Sequence, residues 1–107
     1  MKITLPHYTT QQEAIRIIDA KANELMGFSH PAVTIVDPKK SWDNNILRFS
    51  FGVKRLFLNL ELSGLVIVTD QEVIGEGEVP GIVTTFFSEE TIKSVIREQF
   101  NRLFNIR

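Results

Sequence analysis

The chain has 107 residues, of which 43% are apolar and 23% charged, with a formal net charge of −1 at pH 7. This length and balance are typical of one globular domain with a single core. The absence of cysteine excludes disulfides and cysteine nucleophiles, and the near-neutral charge argues against nucleic acid as a partner.

The N-terminal segment, residues 1–6, lacks the long apolar stretch of a secretory signal. The longest strictly apolar run, residues 65–68, is far too short to span a bilayer. We therefore expect a cytoplasmic protein without a transmembrane segment. Within the N-terminal segment, the alternation at residues 3–5 predicts a short first strand that Pro6 ends.

Residues 10–26 are predicted to form the first helix, because apolar residues recur there at helical spacing. Thr10 and Glu13 fit the capping-box pattern, in which each side chain satisfies an orphan amide of the other. Gly27 suits the left-handed conformation that commonly ends a helix. The predicted apolar face comprises Ala14, Ile15, Ile18, Ala22, Leu25 and Met26.

The middle of the chain is predicted to consist of strands separated by turns. β-branched residues and apolar–polar alternation are typical of strands that turn one face to a core. The predicted strands are residues 32–37, 46–51, 56–69 and 73–79. The predicted turns are residues 37–40, 44–45, 52–55 and 70–72. In the second turn, Asn44 and Asn45 tolerate the positive φ of a tight hairpin.

The third of these strands has the clearest alternation, with its apolar positions at Leu56, Leu58, Leu60 and Leu62. Ser63 and Gly64 allow two interpretations, a two-residue hairpin or a bend within one long strand. We favour the bend, because Val66 and Val68 then stay in phase with the leucines. We expect Leu60 to face the helices as a core residue and Glu61 to lie on the opposite face.

A second long helix is predicted after residue 88. Ser88 is its N-cap, and Glu89 and Glu90 place negative charge at the positive end of the helix dipole. Phe87 and Ile92 occupy the positions of a hydrophobic staple. The predicted apolar face comprises Ile92, Val95, Ile96, Phe100, Leu103 and Phe104.

These elements predict a single α+β domain over residues 1–107, with the order β-α-β-β-β-β-α. Two amphipathic helices have to bury their apolar faces against another layer. The apolar face of an antiparallel sheet is the available surface. We therefore expect a two-layer sandwich with both helices packed on one face of the sheet.

No pattern in the sequence predicts a catalytic residue, a metal site or a cofactor. His7 and His30 have no carboxylate at metal-ligand spacing, which favours structural histidines. The segment 75–77 lacks the third glycine, the lysine and the following helix of a phosphate loop. Glu72, Glu76 and Glu78 alternate along one strand, where a solvated sheet face is a simpler interpretation than an acid–base pair.

Four aromatic residues are candidates for a contact surface: Phe57, Trp42, Phe86 and Phe87. Alternation places Phe57 on the polar face of its strand, and the other three are predicted in loops. Such a surface would serve a protein partner or self-association. The alternative is that these side chains close the ends of the core.

The order of several segments resembles that of the small bacterial polyhydroxyalkanoic acid system proteins. These segments are Pro6-His7, residues 42–49, residues 63–70, residues 78–80 and the closing helix 92–104. The resemblance covers almost the whole chain through structural motifs, although residues 53–62 form a longer apolar stretch than the shorter members have. It implies association with polyester storage granules and supplies no catalytic residues.

The main function hypothesis is a non-enzymatic accessory or interaction protein, at a storage-granule surface or with granule proteins, as the resemblance implies. The alternative is a binding module for a small hydrophobic ligand between the sheet and the C-terminal helix. A third hypothesis is an enzyme whose site the sequence does not reveal. An apolar cavity would favour the second hypothesis, and apolar residues that face water would favour the first.

Overall fold

Five strands form one antiparallel sheet in the order β1-β5-β4-β3-β2. The computed structural model describes residues 1–27, 34–56, 58–78 and 80–106, with only the backbone at 84 and 86. The elements are β1 Lys2–Pro6, α1 Gln11–Met26, β2 Thr34–Asp43, β3 Ile46–Arg55, β4 Leu58–Val68, β5 Glu72–Glu78, α2 Gly81–Phe86 and α3 Glu89–Leu103. The predicted α+β class and order β-α-β-β-β-β-α are confirmed, with the short helix α2 as an addition.

Register divides the sheet into two faces. On one face Leu47 pairs with Val66, Phe49 with Gly64, and Phe51 with Leu62. Side chains of α1, together with Leu103 of α3, meet this apolar face. Both long helices therefore lie on the same side, which we call the helix face. The alternation along β4 runs unbroken through Gly64, so one long strand at this point is confirmed and a hairpin is excluded.

Gly64 has a steric reason to be glycine. A Cβ built on it would overlap the backbone oxygen of Glu76 and come within 3.0 Å of the Phe49 ring. The neighbouring strand and an aromatic side chain thus occupy the space that any larger residue needs.

The buried apolar core lies toward one end of the sheet. Among the described residues it consists of Leu5, Ala14, Leu47, Val68 and Val73. Leu60, expected as a core residue, is only half-buried, whereas Glu61 is exposed as expected on the opposite face. Leu60 is only half-buried because α1 is shorter than β4. The 16 residues of α1 extend about 24 Å, and the 11 residues of β4 extend roughly 36 Å. Helix α1 therefore cannot cover the whole strand.

Two predicted turns are wrong because they lie inside strands. Strand β2 continues through the segment 37–40, where a bulge between Val36 and Lys39 places Asp37 at a φ of 50°. Strand β3 continues through the segment 52–55. The turn that follows begins at Leu56, which has a φ of 55° and so leaves the strand predicted for it.

The N-caps of both long helices lie where the sequence predicts them, and α1 ends at Met26 as predicted, but the conformation of Gly27 after it differs from the prediction. Thr10 caps α1 by accepting from the Glu13 amide at 3.1 Å, but the Glu13 carboxylate pairs with Arg16, so the reciprocal half of the capping box is missing. Ser88 caps α3 by accepting from the Thr91 amide at 3.1 Å. Gly27 ends α1 at a φ of −91°, and the predicted left-handed conformation is wrong.

His7 joins four parts of the chain from a buried position with 1% exposure. Its Nδ1 accepts from the Thr9 amide at 3.1 Å, so the neutral ring carries its proton on Nε2, which donates to the Thr69 carbonyl at 2.9 Å. The ring stacks on Phe104 with 6.3 Å between centroids. The His7 amide donates to the carbonyl of Gln71 at 3.1 Å. This is a structural histidine with both ring nitrogens bonded; His30 lies outside the described residues.

Replacing His7 with phenylalanine tests this junction. The new ring can still stack on Phe104, but the Thr69 carbonyl and the Thr9 amide lose their buried partner. We expect His7→Phe to lower the free energy of unfolding by about 2–4 kcal/mol, from one or two unsatisfied groups. Urea denaturation measures this change. The control is Tyr8→Phe, which removes the hydroxyl of an exposed neighbour and should stay within about 0.5 kcal/mol; equal losses in both variants would contradict the assignment.

Candidate functional site

An apolar cleft of about 340 Å³ lies between α1 and the helix face of the sheet. Ten of the eleven described residues that line it are apolar. The lining consists of Ile18, Lys21, Ala22, Leu25, Met26, Ile35, Leu47, Phe49, Phe51, Val66 and Leu103. Among the described lining residues, five belong to α1 and only Leu103 belongs to α3. The cleft therefore lies mainly beneath α1 and not, as the ligand-binding hypothesis expected, beneath the C-terminal helix.

The cleft forms where α1 no longer packs closely on the sheet. Near its start, α1 presents Ala14, which is fully buried against the core. About two to three turns further on, the apolar stripe continues through Ala22 and Leu25, yet Leu25 is 55% exposed. Ala22 offers only a methyl group to the space above the strands. The helical stripe therefore lines a cavity where the sequence predicts packed core.

One polar cluster ties α1 to the edge strand β2 beside this cleft. The Asp19 carboxylate accepts from Trp42 Nε1 at 2.9 Å and forms an ion pair with Lys40. The hydrogen bond from Lys40, and then that from Trp42, lower the pKa of Asp19 below its ordinary value. Trp42, predicted in a loop, thus lies within β2 and is held to the helix by its indole nitrogen.

Lys21 is the single charged residue among the described residues that line the cleft. Its side chain is 35% exposed, and its Nζ lies 3.4 Å from the carboxylate of Glu24, which is 71% exposed. Both residues belong to α1. A single exposed contact of this kind is weak, because water screens both charges.

Of the four predicted contact residues, only Trp42 and Phe87 have side chains that the structure describes. Phe57 lies outside the described residues, as does the side chain of Phe86. Phe87 is 57% exposed at the end of α2, a short helix in the segment predicted as a loop. Neither Trp42 nor Phe87 lines the cleft. Val95 of α3, predicted in the apolar face of that helix, is also exposed.

A second apolar surface lies on the sheet face opposite α1 and α3. Ile46 pairs with Ile67, and Ile67 pairs with Ile74, so three isoleucines align across β3, β4 and β5. All three are half-buried. The alternating glutamates of β5 predict a solvated surface on this face. Only the strand register, which joins isoleucines from three separate segments, reveals the row.

No metal or membrane-spanning feature is found in the part of the chain that the structure describes. No three histidine or acidic side chains there lie close enough to hold a metal ion. Glu76, one of the three alternating glutamates, pairs with Lys2 at 3.5 Å on the surface. No helix in the same residues has the length and apolar character needed to cross a bilayer.

Comparison with known proteins gives no relative: no family model, no curated protein and no solved structure matches the chain. The resemblance to polyhydroxyalkanoic acid system proteins therefore stays a prediction.

The pKa of Asp19 gives its contact with β2 a pH dependence. A carboxylate with a lowered folded-state pKa stabilises the fold fully above its unfolded pKa, about 3.9, and this stabilisation is lost as pH falls through the folded pKa. Asp19→Asn should therefore be less stable than the wild type at pH 7, and the difference should shrink below about pH 4. Urea denaturation at several pH values measures it.

The matched control is Asp37→Asn, because Asp37 pairs with Lys39 at 3.3 Å and both side chains are exposed. We expect a small change in unfolding free energy at every pH. A stability loss in Asp19→Asn that stays constant from pH 7 to pH 3 would contradict an electrostatic role for the carboxylate.

Proposed function

We propose that this protein is a non-catalytic, cytoplasmic binding protein that takes the aliphatic part of a small hydrophobic ligand into the apolar cleft. The observation that carries the proposal is the cleft itself. Its volume of about 340 Å³ lies in the range of small-molecule sites, which are typically concave and mostly apolar. Each methylene group buried there would contribute about 0.8 kcal/mol to binding.

The position of Leu25 supports access from solvent. This residue lines the cleft and is at the same time 55% exposed, so it lies at the opening. A ligand chain that enters beside it would cover its apolar surface and contact Phe49 and Phe51 of β3. Binding would then remove apolar area from water on both partners, which is favourable.

The chemistry of the lining supports binding in preference to catalysis. A general acid–base reaction needs a group that can transfer protons, usually held by a second polar group. Among the described residues that line the cleft, only Lys21 is polar. The storage-granule role implied by the resemblance is compatible with this proposal, because aliphatic side groups of a polyester would also suit an apolar cleft.

The test is binding of 1-decanol, a neutral aliphatic probe, by isothermal titration calorimetry. Ala22→Phe places a ring in the cleft and should weaken binding at least about tenfold, equivalent to about 1.4 kcal/mol. The matched control is Ala20→Phe, the same substitution at an exposed position of α1, which should leave the affinity nearly unchanged. Absence of saturable decanol binding to the wild type, or equal weakening in both variants, would refute the proposal.

A second proposed role is self-association through the row formed by Ile46, Ile67 and Ile74. The row consists of half-buried apolar side chains that run across three strands, and contiguous apolar surface is typical of contact sites. This role retains the interaction-protein hypothesis but moves the surface away from Phe57 and Phe87. It is independent of the cleft, because the two sites lie on opposite faces of the sheet.

Sedimentation velocity over a range of protein concentrations tests the second role. We expect the wild type to form dimers as concentration rises, and Ile67→Lys to stay monomeric because a charge would enter the centre of the apolar row. Ser63→Lys adds the same charge to the same face of β4 at an exposed position and should still associate. A monomeric wild type at all concentrations would exclude this role.

A further inference from the structure

We infer that the ligand of the apolar cleft is a single-chain amphiphile with a carboxylate head group, and that Lys21 binds this head group. The inference rests on the proposed ligand-binding function and adds the chemical class of the ligand. It follows from the placement of one cation on an otherwise apolar lining.

Lys21 combines the two properties that an amphiphile requires of its site. The residue contributes to the lining, and its side chain keeps 35% exposure, so it reaches both the cavity and solvent. Lysine commonly lays its methylene stem along apolar surface while its ammonium group stays in water. A ligand chain could therefore pack beside the stem with its own charged end next to Nζ.

Lys21 is also available for a ligand, in contrast to the other lysine near α1. Lys40 forms an ion pair with Asp19, whose carboxylate is also bonded to Trp42, so that cation is held within a three-residue cluster. The partner of Lys21 is Glu24, at 3.4 Å and 71% exposed. Such a carboxylate can rotate into solvent at little cost, because exposed pairs contribute little.

The remaining lining residues explain why the head group should be anionic and why the ligand should have one charge. An uncharged chain would fill the apolar lining but would leave the ammonium group of Lys21 with only its weak contact to Glu24. A cationic head group would be repelled at the same place. A ligand with several charges would have to desolvate groups that the apolar lining cannot pair. One carboxylate at the end of an aliphatic chain matches one lysine at the opening.

The experiment compares decanoate with 1-decanol, which has the same chain length and no charge, by titration calorimetry at pH 7.5 and low ionic strength. The wild type should bind decanoate more tightly than decanol. Lys21→Met keeps the apolar stem and removes the charge, so decanoate affinity should fall roughly fivefold, the size of a partly exposed ion pair. Decanol affinity should be unchanged, and Lys21→Arg should retain the preference for decanoate.

Lys39→Met provides the matched control for net charge. Lys39 lies on β2, is exposed and does not line the cleft. Its removal should change neither affinity. An equal loss of decanoate binding in Lys21→Met and Lys39→Met would show a general charge effect and overturn the inference, as would equal affinities of the wild type for decanoate and decanol.

The outcomes separate this inference from the function on which it rests. Decanol binding that persists without a decanoate preference overturns only the role of Lys21, and a wild type that binds neither probe overturns the proposed function as well. If Lys21→Met lost affinity for both decanoate and decanol, Lys21 would contribute only apolar contacts to the lining, and its role in binding the head group would be overturned. Vesicles of phosphatidylglycerol test the other source of an anionic head group. Co-sedimentation that depends on Lys21 would show that the protein binds an anionic lipid surface and not a free carboxylate.

Discussion

The buried imidazole of His7 is the contact on which the arrangement of the chain ends depends. Its Nε2 donates to the Thr69 carbonyl and its Nδ1 accepts from the Thr9 amide, while its ring stacks on Phe104. One side chain thereby joins the end of β1, the β4–β5 turn, the approach to α1 and the end of α3. The buried core residues also lie toward the end of the sheet where His7 is found. The helices therefore pack most closely on the sheet where this histidine joins the two layers.

The apolar cleft is a consequence of this uneven packing. Gln11 at the start of α1 donates to the Val68 carbonyl at 2.8 Å, so the helix is held to the sheet beside the core. Further along, Asp19 holds α1 to Lys40 and Trp42 on the edge strand, above strands that the helix does not fully cover. Between these anchors and the end of α1, the small side chain of Ala22 leaves space that Leu25 and Phe51 border but do not fill.

Local sequence patterns predict the fold well and the cleft poorly, for a physical reason. The caps at Thr10 and Ser88, and the alternation along β4, depend on neighbours within a few residues, and the structure confirms them. The bulge near Asp37 depends on the pairing of β2 with β3, which the local sequence does not reveal. The segment 37–40, with its proline, therefore has the pattern of a turn. The cleft depends on the distance between two layers, and a helical apolar stripe has the same pattern whether it meets a strand or a cavity. The small side chain of Ala22 is no sufficient signal for the cleft, because Ala14 in the same stripe is fully buried in the core.

The bulge in β2 has a further consequence for the behaviour of the protein at high concentration. Strand β2 lies at one edge of the sheet, where unpaired backbone groups could template strand addition by another chain. Pro38 has no amide to donate, Asp37 turns the strand locally through its positive φ, and Lys39 adds an exposed charge. These features interrupt the regular ladder that a growing fibril would need, so this edge is protected against edge-to-edge aggregation even though its inner face carries apolar residues.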